Sequence, residues 1–463
     1  MLEVSTSVPA LRDEEGAILP EFVERVAAAI DAGEVDTLRA LVGELHEADL
    51  GALIEVLEPE QRPRLVELLG IDFDFSALTE VDDSVREEIL EELPPHQVAQ
   101  GVRELETDDA VAILEDLPKE EQAEILDQLP PPERVTLKRG LDYPEESAGR
   151  RMQAEFIAVP PAWNVGQAID YMRETAELPE HFYELYVTDE ASHFLGAVPL
   201  DRLLRSKRPV PISDLMEAER RRVHADEDQE EVARLFQRYD LVAAPVVDAD
   251  DRLVGVITFD DVVDVIEEEA EEDIKALGGV TRDEELSDSV WTIARGRFSW
   301  LLVNLATAFL ASSVLGLFEG QLQKMVALAV LAPIVASQGG NATTQTMTVA
   351  VRALATQDLS DANARRVILR ELLVGLLNGL AFAVITGVAA YVWFRVPALG
   401  VVIGLAMICN LVAAGLGGIL IPLALNRLRV DPAVASSPFV TTVTDVVGFF
   451  SFLSIATLWF GLR

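Results

Sequence analysis

The last third of the chain is built from long apolar runs separated by short polar joints, whereas the first two thirds places its apolar residues at helical or alternating spacing. Four runs, at about 298–318, 372–394, 398–425 and 433–462, each exceed the roughly 20 residues that a helix needs to cross a bilayer core. A fifth, 325–338, is shorter, contains Pro333 and leads into QGGNATTQTMTVAVRALA. Between two clear spans it is expected to cross as well, broken at Gly339 and Gly340 before a second helical piece.

The front part holds two repeats. Leu57, Leu69, Val81, Leu93, Leu105, Leu117, Leu129 and Leu141 recur every twelve residues, with Pro59, Pro94, Pro118 and Pro130 close behind four of them. Segments such as LPPHQVAQGVREL and LPKEEQAEILDQL start with proline near the first helical turn, which predicts short helices stacked into a small superhelix. Further on, FLGAVPLDRLL at 194–204 matches LVGVITFDDVV at 253–263 with an offset of 59, pairing Gly196 with Gly255 and Asp201 with Asp260. Each copy reads helix, strand, turn, strand, helix.

Charge divides the chain in two. From Trp291 onward eleven Lys/Arg face six Asp/Glu, which leaves 26 against 73 before it. Such a front half excludes nucleic acid as a partner and disfavours anionic lipid; its natural partners are cations, although a salt-adapted organism would also carry this acid load. The acids peak in FDDVVDVIEEEAEEDIKALGG, where nine of the fourteen residues from Asp260 to Asp273 are acidic while Val262, Val263, Val265 and Ile266 keep a helical spacing. Five i,i+4 like-charge pairs there store about 1 to 2.5 kcal/mol of repulsion at about 0.2 to 0.5 kcal/mol each. Divalent ions bridging the carboxylates would remove it.

The single Cys409 excludes an intrachain disulfide or a thiolate cluster, and MLEVSTSVPALRDEEG has no signal-peptide pattern. Arg295, Arg297, Arg352, Arg365, Arg366, Arg370, Arg427 and Arg429 flank alternate ends of the spans, against Lys324 and Arg395 at the others. Positive-inside counting thus puts the N-terminal half in the cytoplasm and the C-terminus outside. Within the spans, Ser437, Thr441 and Asp445 form one helical stripe. Asp445 reads as the only acid well inside a span, and so as a cation site in a water-filled path that the GGNATTQ segment could also line.

The duplicated segments are similar to tandem cystathionine-beta-synthase (CBS) domains. With an acidic helical N-domain before them, and PIVASQGGNATTQT and DPAVASSPFVTTVTD in the spans, the chain from about residue 20 resembles the MgtE family of magnesium channels/transporters. The resemblance implies a multidomain α and α+β membrane protein: a disordered 1–20, a helical repeat at 21–145, CBS domains at 146–207 and 208–266, an acidic plug and connecting helix at 260–295, and five transmembrane helices at 296–463. It implies a homodimer in the plasma membrane that conducts Mg2+ and closes when internal Mg2+ is high. Pore ligands would be Asp445 with Asn341 and the Thr441 carbonyl nearby. Gating ligands would be Asp228, Glu230, Asp240, Asp261, Asp264, Glu269, Glu272, Asp273 and Asp431. Ser437 stands where the family is expected to carry Asn. Thr258 and Asp261, in the Thr-x-x-Asp arrangement of many CBS modules, mark a nucleotide site for ATP.

Two carboxylates suit a largely hydrated Mg2+, which sheds water reluctantly. A zinc metalloprotease would need His-Glu-x-x-His in a span, and all five histidines precede the membrane part. A CBS-regulated carrier of another divalent ion or solute, and a non-transporting membrane sensor, stay open at this stage.

Overall fold

The computed structural model describes residues 11–462 apart from 14, 176, 177, 180, 283, 286–288 and 361, with the side chains of 434–437 also outside the description. It divides into two units, 1–268 and 269–463.

Among the described residues the first unit opens with nine short α-helices: α1 (Pro20–Ala32), α2 (Val35–Val42), α3 (Glu47–Val56), α4 (Arg62–Leu69), α5 (Asp83–Glu92), α6 (Pro95–Val102), α7 (Thr107–Glu115), α8 (Lys119–Gln128) and α9 (Pro131–Asp142). At three positions of the twelve-residue period the repeat marks where a helix stops. Leu57, Leu93 and Leu129 are the residues immediately after α3, α5 and α8, in extended conformation, and their side chains are buried. Each therefore plugs the apolar seam at a turn while the following proline starts the next helix. α6 packs on α8 and α7 on α9, so alternate helices stack. Arg86 is buried among them, bonded to Asp116 at 2.6 Å and Asp83 at 2.5 Å. Disorder was expected over 1–20. Residues 1–10 lie outside the described residues, but Arg12 bridges to Ile18 and pairs with Asp49 at 2.7 Å, which ties that turn to α3.

Two three-stranded sheets follow. β1 (Ala158–Val159), β2 (Glu184–Thr188) and β3 (Phe194–Pro199) form one, with α10 (Val165–Glu174), α11 (Leu200–Leu204) and α12 (Ile212–Leu215); β4 (Val223–His224), β5 (Ala243–Val247) and β6 (Leu253–Thr258) form the other, with α13 (Gln229–Tyr239). In both, the first pair is parallel and the second antiparallel. The sequence boundaries at 146 and 208 do not coincide with the cores. Ala148 and Met152 pack with the second sheet, and Ile212, Leu215 and Met216 with the first. Each sheet is completed by the segment that leads toward the other: Gln153 bridges to Val256 and Glu217 to Ala197. This explains the paired glycines, because a Cβ at Gly255 would meet the Gln153 carbonyl at 2.8 Å and one at Gly196 the Glu217 carbonyl at 2.7 Å.

The acidic helix α14 (Phe259–Gly278) begins where β6 ends. It stops at Gly279, which has a φ of +72° available to glycine at little cost, so it does not run on to 295. Five long helices follow around the short α16 (Glu319–Lys324): α15 (Val290–Leu317), α17 (Val326–Ala355), α18 (Ala364–Phe394), α19 (Pro397–Arg427) and α20 (Pro432–Phe460). All five contain a stretch long and apolar enough to cross a membrane. α19 is the most buried and packs on α17, α18 and α20. Its seam with α18 is lined by glycine: a Cβ at Gly400 would lie 2.5 Å from the Gly387 carbonyl, and one at Gly375 2.6 Å from the Leu411 carbonyl, so the backbones touch directly. The expected break at Gly339 and Gly340 is absent, and α17 is continuous through both. Glycine lowers intrinsic helicity in water, but in an apolar setting the unsatisfied backbone of a break costs more.

Candidate ion path and acidic junction

α17 presents an exposed polar stripe, unusual on a membrane helix. Asn341, Thr344, Gln345 and Thr348, at i, i+3, i+4 and i+7, are all exposed. The Thr344 and Thr348 hydroxyls donate back to the carbonyls of Gly340 and Thr344, whereas Asn341 and Gln345 have no hydrogen-bond partner among the described residues. α20 packs beside α17 and carries Asp445, half-buried and likewise without a hydrogen bond or ion pair among the described residues. One turn earlier the Thr441 carbonyl accepts the Thr444 hydroxyl at 2.9 Å, and the Thr441 hydroxyl donates to the Pro438 carbonyl at 3.2 Å. Ser437, the first member of the expected stripe, has its side chain outside the described residues. Asp445 is not the only acid within these helices: Glu371, in the early turns of α18, is mostly buried and accepts the Thr346 hydroxyl at 3.3 Å.

At the entrance to these helices the end of α14 is anchored. Ala276 is buried, with Leu277 beside it, in a cluster formed with Met347 and Val351 of α17 and Ala433 and Val440 of α20. Asp431 caps α20, accepting the Ala433 amide at 2.8 Å. Of the remaining acids on this part of α14, Glu272 pairs with Arg282 at 3.3 Å, and Glu269 and Asp273 also have interactions of their own.

The other expected ligands lie in the first unit and are not gathered. Asp228 caps the start of α13 by accepting the Glu230 amide at 2.9 Å, Glu230 pairs with Arg234, and Asp240 ends the same helix in the left-handed region. Among the described residues no group of three or more His, Cys, Asp or Glu has the geometry to hold a metal ion. Asp261 is engaged twice within the chain. It accepts the Thr258 amide and hydroxyl at 3.1 and 2.7 Å, and its carboxyl also meets that of Asp108. The Thr258–Asp261 pair is thus closed on itself. A separate cavity of about 450 Å³ is lined by Glu217, Arg220, Arg221, Tyr239 and Leu241, with the Arg221 guanidinium 3.4 Å above the Tyr239 ring.

The Asp108 contact belongs to an acidic junction that the residue pattern did not reveal. The first turns of α7 and α14 meet, bringing Glu106, Asp108 and Asp109 against Asp260 and Asp261. The linker after α9 joins them: Glu155 accepts the Thr107 amide and hydroxyl at 3.2 and 2.7 Å, and the Gln153 amide donates to Glu106 at 3.0 Å. Burial, followed by the charge of Asp261, lifts Asp109 to about 7. Burial likewise holds Asp108 well above the usual carboxylate range, with Asp261 adding to it, and raises Glu106 and Asp264. Farther along α14, Glu268 pairs with Arg151 at 2.6 Å. The raised carboxyls make the arrangement one that can take up protons.

Five helices long and apolar enough to cross a membrane, preceded by a stacked helical repeat and two similar three-stranded sheets, define a multi-pass membrane protein with a large regulatory front part. Family models agree segment by segment: an MgtE intracellular N domain at 45–146, a CBS domain at 212–268 and an MgtE divalent cation transporter domain at 332–455. The magnesium transporter MgtE of Enterococcus faecalis is 34% identical over 447 residues, covering 96% of this chain and 98% of the relative; that of Thermus thermophilus is 36% identical, covering 93% and 96%. The solved cytosolic domain of the Mg2+ channel MgtE in complex with ATP is 31% identical over 52% of this chain and 99% of its own, with a TM-score of 0.48. The chain belongs to the MgtE family of magnesium transporters.

Proposed function

We propose that the chain carries Mg2+ through the plasma membrane as a homodimer, with the front half in the cytoplasm acting as its Mg2+ sensor. The observation that carries this reading is the exposed polar stripe of α17, in which Asn341 and Gln345 have no hydrogen-bond partner among the described residues, beside Asp445 of α20, which likewise has none among them. In hydrocarbon such groups require a water-filled path or a second protein surface, and a two-fold copy packed over this face supplies both. One Asp445 from each copy, with Asn341 and the Thr441 carbonyl, would hold a largely hydrated Mg2+ through its waters.

Gating follows from the acids. The far end of α14 is seated on α17 and α20, so any ion that redistributes charge along α14 acts on the helices lining the path. Asp228, Glu230, Asp240, Asp264, Glu269, Glu272, Asp273 and Asp431, together with the junction around Asp261, are proposed to bind Mg2+ when it is abundant and so favour the closed state. Moving a gate from mostly open to mostly closed needs about 5.5 kcal/mol, which suits several weak sites acting together. ATP is proposed as a second regulator of the CBS pair. At Thr258 and Asp261 it would have to displace the Asp108 contact, whereas the cavity beside Arg220, Arg221 and Tyr239 offers cations for phosphate and a ring for the base.

The test is uptake into liposomes reconstituted with the purified protein. Mg2+ flux is expected from the wild type and none from Asp445→Ala; normal uptake by that variant would refute the pore assignment.

A further inference from the structure

Asn410 lies in the middle of α19, a helix otherwise apolar at that level, and its side chain is fully buried. Its amide Nδ2 donates to the Val335 carbonyl of α17 at 2.7 Å, while Oδ1 is buried with no partner among the described residues. The carboxamide occupies a notch cut by two glycines on different helices. A Cβ at Gly339 of α17 would lie 2.2 Å from Nδ2, and one at Gly448 of α20 would lie 2.9 Å from it. Isolated glycines inside spans weaken a helix unless something needs the room, and here the same amide needs both.

Position gives this clasp its meaning. Gly339 is two residues before Asn341, and Gly448 is three residues, about one turn, after Asp445. The helices carrying the two proposed pore ligands are therefore held against one buried amide at the level of those ligands. A leucine would have filled the space with less desolvation cost, so the polar group is retained against its cost in an apolar setting.

We infer that Asn410 is a positioning residue for cation selection: by fixing α17 and α20 to α19 it sets the spacing between Asn341 and Asp445, and with it the size of hydrated ion that the path accepts. The inference rests on the pore reading above. It is tested with full-length protein in liposomes by measuring Mg2+ uptake against concentration, and Ca2+ uptake in parallel, for wild type, Asn410→Ala, Gly448→Ala and the double variant. Asn410→Ala is expected to raise the KM for Mg2+ and to narrow the preference over Ca2+, each by about tenfold. Gly448→Ala alone should show a similar loss because its methyl presses on the amide. In the double variant the methyl has room, so its defect should be smaller than the product of the two single defects. If Asn410→Ala does not fold, Gly448→Ala, which displaces the amide without removing it, supplies the KM and preference readout against wild type.

Unchanged KM and unchanged preference in folded variants, with only a lower Tm, would reduce Asn410 to a packing residue and overturn the inference. Asp445→Asn run alongside separates the two readings. Full uptake by that variant would refute the pore assignment itself, whereas abolished uptake together with indifferent Asn410 variants would refute only the positioning role.

Discussion

The acidic junction makes a prediction that does not involve metal: lowering the pH should close the first unit on itself. In this arrangement Asp109 is lifted from its ordinary 3.8 to about 7, principally by burial and then by Asp261 and Glu106. At 1.36 kcal/mol per pH unit, ionising that carboxyl costs the docked arrangement at most about 4 kcal/mol relative to one in which α7 and α14 have separated. The docked state therefore binds more protons than the separated state between about pH 4 and pH 7. Its stability falls as the pH rises through that window, and the penalty is fully present above 7. Asp108 and Glu106 are raised in the same direction, with His181 opposing at Glu106, so more than one proton is taken up on closure.

The assay is hydrogen exchange or limited proteolysis of the full chain in nanodiscs, with Mg2+ chelated, following α7 and the linker at 143–157. Protection should increase as the pH falls from 8 to 6, by up to tenfold per pH unit for each proton bound. Asp109→Asn should be protected at pH 8 already and respond less to acid. If Mg2+ competes with the same protons, the midpoint of the further gain in protection that it gives above the metal-free level should lie at a lower concentration at pH 8 than at pH 6. Equal protection at both pH values without metal, or a Mg2+ midpoint indifferent to pH, would refute the electrostatic account of the junction.

Other variants address the remaining parts. Replacing Glu269, Glu272 and Asp273 by Gln, Gln and Asn should leave maximal flux intact while raising the internal Mg2+ needed for inhibition by about tenfold, the scale of a typical coupling energy between sites; unchanged inhibition would remove α14 from the gate. Arg86→Ala should lower the stability of the helical repeat by about 1 to 3 kcal/mol in urea unfolding, because it removes a buried guanidinium and leaves the half-buried Asp116 without its partner, and a loss below about 0.5 kcal/mol would contradict the pairing. Gly400→Leu should give protein that elutes as aggregate in detergent, since even its first carbon would lie 2.5 Å from the Gly387 backbone carbonyl; a stable, monodisperse variant would mean that α18 and α19 can part without cost.

Glycine shows why some of this architecture can be read from residue order and some cannot. The spans, the stacked helices and the doubled strand pairs are all governed by local periodicity, and the presence and type of these elements match the helices and sheets observed, although the second span is not broken as expected. The glycines at 339 and 340 misled because a residue that ends helices in water also makes room inside a bundle. Whether it breaks or packs depends on what stands opposite, here Asn410, some seventy residues away in the chain. The same limit hid the junction: Glu106, Asp108 and Asp109 sit in a repeat whose other acids are mostly exposed, and only the meeting of α7 with α14 separates them from those neighbours. It also misplaced the CBS boundaries, since a 59-residue offset reports similarity between copies and says nothing about which core each leading segment enters. These failures have a common physical cause. Periodicity records which face of an element is apolar, whereas a lone amide or a facing pair of carboxylates is costly in isolation and becomes tolerable only through a particular partner. In this chain those costs fall where α17, α19 and α20 join beside Asp445 and where α7 meets α14, the first in the proposed ion path and the second among the acids proposed to control it.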